Sequence, residues 1–192
     1  MQAEWLVKAL DFPGYLGKAD MNVPTMKENF DDTKVMPEDD RFFGELSRRL
    51  PAGAVTVLAL SEPWCGDCIE NLPVIAKMAS LYPFMRLAVF PRDLNLGIMD
   101  RYLTDGERTI PIFVFFDAEG VEIGRFIERP PGAHAFLAGA RKRLESLTPE
   151  GQKKGMYQAR ADLRRLYREG LRDETITTIR RILEQRSGRE NP

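Results

Sequence analysis

The run Ala54–Leu60, AVTVLAL, is apolar throughout, short and rich in β-branched side chains, so it reads as a strand buried on both faces. It ends directly before Ser61-Glu62-Pro63-Trp64-Cys65-Gly66-Asp67-Cys68, and from Cys68 the pattern changes to helical spacing, with Ile69, Leu72, Ile75 and Met78 on one face and Pro73 inside. A second apolar strand, MRLAVFPRD, follows. A doubly buried strand needs cover on both sides, and a strand–helix–strand succession favours parallel pairing, so this stretch commits the chain to an α/β sheet with helices on its faces.

The flanking sequence extends that frame. Pro37–Leu50 is an amphipathic helix, acidic in its first turn and basic in its last, with Phe42, Phe43, Leu46 and Leu50 at helical spacing. NLGIMDRYL gives a short helix. Ile112–Phe116 and Val121–Phe126, separated by DAEG, form a hairpin, and AHAFLAGARKRLESL a further helix. From Pro37 to Leu147 the order is α, β, α, β, α, β, β, α, a mixed sheet flanked by helices. Before it, a short helix at Glu4–Leu10 is followed by DFPGY and NVP as turn signals. After it, GQKKG reads as a linker into two helices. The first carries Ala159, Leu163 and Leu166 on one face; the second carries Ile176, Ile179 and Leu183, with Asp173 as its N-cap. For 192 residues this gives an N-terminal extension over 1–36, an α/β domain over 37–147 and a helical C-terminal extension over 148–192.

Charge excludes some functions. The net charge is −1, which supplies no overall field for nucleic acid or an anionic membrane surface. From Thr148 onward 11 Lys+Arg face 7 Asp+Glu, so the tail is basic and the rest acidic, but aromatic interleaving is limited to Tyr157 and Tyr167. Nucleic-acid binding is therefore not expected; the tail helices pack on the domain or on a second copy in a homodimer. No apolar run is long enough to span a membrane, and MQAEWLVKALDFPGY lacks the basic and apolar parts of a leader, so a cytoplasmic protein is expected.

Cys65 and Cys68 are the only cysteines. At a strand-to-helix junction Cys65 meets the unpaired N–H groups and positive dipole end of the helix, which favour its thiolate, and Cys68 lies one turn along, within reach of a short disulfide. Cys65 is then the nucleophile and Cys68 the resolving thiol, with Asp67 opposing a second negative charge and raising the Cys65 pKa. A zinc site needs four ligands, and the chain adds only His134, which belongs on a helix surface. An iron–sulfur cluster bridged between two chains is an alternative for two cysteines, as is a redox-sensing interaction module.

Trp64-Cys65-Gly66-Asp67-Cys68 on this turn, with Ile110-Pro111 before the strand hairpin, resembles the thioredoxin family over about Pro51–Leu147. The resemblance implies a thioredoxin-like fold, a redox dithiol without an organic cofactor, protein disulfides as substrates and an external electron donor. It also implies Trp64 flanking the cysteines, Pro73 where the active-site helix kinks, Pro111 as a cis-proline facing the disulfide, and Gly120 turning the final hairpin. The backbone of Ile110 would pair with an extended substrate segment, with Trp64, Ile110 and Pro111 forming the binding surface. The sequence departs from the family where a buried proton-accepting Asp is common: that position is Ala59, leaving Glu62 and Asp67 as the nearest acids for deprotonating Cys68.

Overall fold

The structure, a computed structural model, describes residues 3–187. Strands β1 (Val55–Ser61), β2 (Met85–Pro91), β3 (Ile112–Phe116) and β4 (Glu122–Ile127) form one sheet in the order β2-β1-β3-β4. β1 and β2 are parallel, and β3 runs antiparallel to both β1 and β4, as the strand–helix–strand and hairpin patterns require. The hairpin turns at Gly120, whose φ of 77° suits a residue without Cβ. Helices α1 (Ala3–Leu6), α2 (Phe12–Lys18), α3 (Val23–Asp32), α4 (Pro37–Arg49), α5 (Gly66–Leu81), α6 (Leu96–Met99), α7 (Pro131–Leu144), α8 (Pro149–Leu166) and α9 (Arg172–Ser187) surround it.

Strand alternation divides the core. Val57, Ala59, Phe113, Phe115 and Phe126 face one side and pack with α2, α3, α4, α5 and α9. Leu58, Leu60, Ile112, Val114 and Phe116 face the other, against Ile98, Met99, Tyr102 and the half-buried Trp5. A third cluster joins Ala133, Leu137 and Ala140 of α7 to Ala159 and Leu163 of α8 and to Tyr167.

Several sequence expectations are corrected. DFPGY and NVP do not turn the chain; they open α2 and α3, because Pro13 and Pro24 stand in the first helical turn, where no intrahelical N–H is lost. Asp11 caps α2 by accepting from the Gly14 N–H at 2.8 Å. The expected Glu4–Leu10 helix stops at Leu6, and Leu10 exchanges backbone hydrogen bonds of 2.9 and 2.8 Å with Val89 at the outer edge of β2. NLGIMDRYL keeps helix only at Leu96–Met99, after a 3-10 turn at Arg92–Leu94. β4 begins at Glu122, with Val121 left in the turn. GQKKG is no linker: it lies within α8, where Gly155 admits the Leu144 side chain into the space a Cβ would fill. Asp173 falls inside the first turn of α9, and the chain kinks just before that helix at Gly170, whose φ of 150° is not helical.

Candidate active site

β1 delivers its last residue, Ser61, to the centre of the molecule, and Glu62–Trp64 carry the chain into α5 with Cys65 as N-cap in extended conformation. The thiols occupy different environments. Cys65 is half-buried at the rim and its Sγ donates to the Ile110 carbonyl at 3.5 Å. Cys68 is fully buried, and its Sγ accepts from the Glu62 N–H at 3.4 Å. Hydrogen bonding from the Cys68 side chain lowers the Cys65 pKa; burial opposes the shift, the Cys68 N–H assists it, and the Asp67 charge acts against it in the expected sense. Burial pushes the Cys68 thiol up, and the neighbouring Cys65 adds to the rise.

The predicted docking residues come together around Cys65. The Ile110–Pro111 bond is cis, and Pro111 directly precedes β3, so the loop faces the N-terminus of α5. Trp64 is 50% exposed, with the Arg92 guanidinium 5.0 Å from its ring centroid. Arg92 also donates to the Arg108 carbonyl at 3.2 Å, tying the end of β2 to the loop that carries Ile110.

The two acids differ from each other. Asp67 is held by Arg129 through two bonds of 3.0 and 2.6 Å, so a cation faces its charge beside Cys65. Glu62 is buried and its carboxylate accepts from the Asp93 N–H at 2.7 Å; burial raises its pKa. His134 is exposed on α7. Sequence reasoning missed Arg129, which no motif marks, and three further partners. Tyr15 of α2 hydrogen-bonds the Ser61 hydroxyl at 3.3 Å, and Ser61 directly precedes Glu62, whose N–H donates to Cys68 Sγ; the Ser61 side chain lowers the Cys68 pKa. Asn71, one turn beyond Cys68, donates to the Asp67 and Glu128 carbonyls and the Tyr167 hydroxyl, and accepts from Thr175 of α9. Asn29 was legible in principle: Pro73 has no N–H to give the Ile69 carbonyl, and the Asn29 amide donates to that carbonyl at 2.8 Å.

Comparison with protein families matches thioredoxin over residues 9–143. The chain belongs to the thioredoxin family. The match starts well before Pro51, where the motifs alone begin, because α2 to α4 and Leu10 build the same core as the strands. This thioredoxin-family chain is also similar to a solved protein of unknown function from Pseudomonas aeruginosa, at 23% identity and TM-score 0.64, over 95% of this chain and 96% of that one. An HIV epitope-scaffold crystal structure aligns at 19% identity and TM-score 0.61, again over 95% and 96%. At these identities the likeness concerns the fold. No curated protein matches the chain.

Proposed function

We propose that this thioredoxin-family protein is a thiol–disulfide oxidoreductase that reduces protein disulfides through Cys65 and Cys68. The observation that carries the reading is the asymmetry of the two thiols: Cys65 is half-buried at the N-terminus of α5, where its thiolate is favoured, and Cys68 is fully buried, where burial disfavours the anion. The Cys65 thiolate attacks a substrate disulfide, one substrate sulfur leaves, and a mixed disulfide forms. Cys68 then attacks the Cys65 sulfur, the Cys65–Cys68 bond closes, and the electron pair leaves on the second substrate sulfur. An external dithiol donor resets the pair. The backbone of Ile110 beside the cis Ile110–Pro111 bond suits pairing with an extended peptide, and Trp64 supplies an exposed apolar face. A reducing compartment such as the cytoplasm suits this direction of reaction. Burial of Cys68 among Tyr15, Ser61 and Glu62 weighs against a cluster bridged between two chains, which needs both sulfurs at the surface.

The test is turnover of a model protein disulfide with a dithiol donor. Cys65→Ser is expected to abolish turnover while leaving the circular dichroism spectrum unchanged; an active Cys65→Ser protein overturns the proposal.

A further inference from the structure

The resolving step asks something of Cys68 that its surroundings oppose. It must become a thiolate while fully buried, and Ala59, also fully buried on β1, carries no carboxylate to take the proton. What surrounds the sulfur is a set of donors. The Glu62 N–H points at it at 3.4 Å, Ser61 at the end of β1 has no solvent exposure, and the Tyr15 hydroxyl, nearly as buried, lies 3.3 Å from Ser61 Oγ. Tyr15 reaches this point from α2.

We propose that Ser61 and Tyr15 form a hydroxyl relay that stabilises the Cys68 sulfur as a thiolate during resolution: Tyr15 donates to Ser61, and Ser61 donates to Cys68 Sγ beside the Glu62 N–H. The Tyr15–Ser61 contact admits either hydroxyl as donor, and the polarity of the relay follows from Ser61: its single proton goes to the sulfur, which leaves Tyr15 to donate to Ser61 Oγ. Ser61 then accepts one hydrogen bond and aims its own proton at the sulfur, and two aligned donors offset part of the desolvation penalty on the anion. The Ser61 hydrogen bond and the Glu62 N–H are the two influences that pull the Cys68 pKa down against burial. The titratable groups around Cys68 are Cys65, Tyr15 and the Glu62 carboxylate, and the last is turned to the Asp93 N–H. In the balanced step the Cys68–Cys65 bond forms, the bond from Cys65 to the substrate breaks, and the Cys68 proton ends on the departing substrate sulfur. Ser61 is a catalytic residue in this scheme and Tyr15 a positioning residue.

The inference rests on the reductase reading, and the experiment separates the two. The reduced full-length protein is mixed with 5,5′-dithiobis(2-nitrobenzoate) in a stopped-flow instrument across pH 5 to 9. Attack by Cys65 releases one thionitrobenzoate, and resolution by Cys68 releases a second. Ser61→Ala is expected to slow the second phase about tenfold at pH 7, the scale of one lost hydrogen bond to a charged group, and to move its pH profile upward. Tyr15→Phe, which keeps the ring packing, is expected to slow it about threefold in the same direction through the weakened Ser61 donor. The first phase stays within twofold in both. Second phases equal to wild type in both variants, or equal slowing of both phases, overturn the relay. Release of only one equivalent by the wild-type protein overturns the reductase reading itself.

Discussion

Beside Cys65, single charges act on the thiol. Asp67 opposes the thiolate, and Arg129, largely buried and 2.6 Å away, compensates it. Arg129→Gln leaves the carboxylate uncompensated and is expected to raise the Cys65 pKa by about one unit, whereas Asp67→Asn lowers it by a similar amount, because the unpaired guanidinium then favours the anion. The pH dependence of iodoacetamide labelling measures both shifts. The placement of Cys65 was legible in the sequence because it follows from local geometry, a cysteine at a helix N-terminus. The Arg129 partnership was not, since a basic residue 62 positions away enters the site only once the hairpin has folded back on α5.

For the elements, the central helix α5 illustrates how a local irregularity becomes a tertiary contact. Pro73 frees the Ile69 carbonyl, and Asn29 of α3 takes it up while also contacting Glu70 at 3.2 Å and accepting from Arg172 of α9. Asn29→Ala leaves a carbonyl and a guanidinium short of partners in the interior and is expected to cost about 2–4 kcal/mol in urea unfolding. The α7–α8 hairpin has a steric counterpart. Gly155→Ala places a methyl where the Leu144 side chain lies, and a loss of about 1–2 kcal/mol by thermal melting is expected. The strands and long helices were readable because each buries a face with its own period. The N-terminal helices were misread because a proline looks the same in a turn and in the first turn of a helix, and only packing against α5 and β2 chooses between them.

At the scale of the whole molecule, the C-terminal helix completes the main core. Ile176, Ile179, Ile182 and Leu183 join Phe113, Phe115 and Phe126 there, and Thr175 reaches Asn71 in the active-site helix. Four such side chains are worth roughly 6–12 kcal/mol of burial, comparable to the whole stability of a domain. Truncation before Arg172 is therefore expected to abolish the cooperative unfolding transition by circular dichroism. The same region sets a pH response. Burial raises the Glu70 pKa from 4.5 to about 7, with Arg172, Arg164 and Arg168 pulling it back. Between those values the unfolded chain has already released a proton that the folded chain retains. Stability from this group is thus fully present below about pH 4.5, falls as pH rises toward 7, and is flat above. Subtracting the stability profile of Glu70→Gln from that of wild type should expose the fall, roughly 3 kcal/mol; a flat difference would contradict it.

The alternation of strands and helices, the dithiol at the β1–α5 junction and the Ile-Pro loop that faces it are written in the sequence, because hydrophobic period, helix termini and proline act over a few neighbouring residues. The sequence also indicated that the tail carries basic side chains, two of which meet body carboxylates: Arg180 pairs with Glu38 and Asp39, and Arg172 lies against Glu70. The polar partners of β1 and α5 around the dithiol came only with folding. Tyr15, Ser61, Asn71 and Thr175 come from four separate elements, and each is an ordinary polar residue in its own segment. They acquire roles because burial removes water, and every hydrogen-bonding group left inside must then find its partner in the protein.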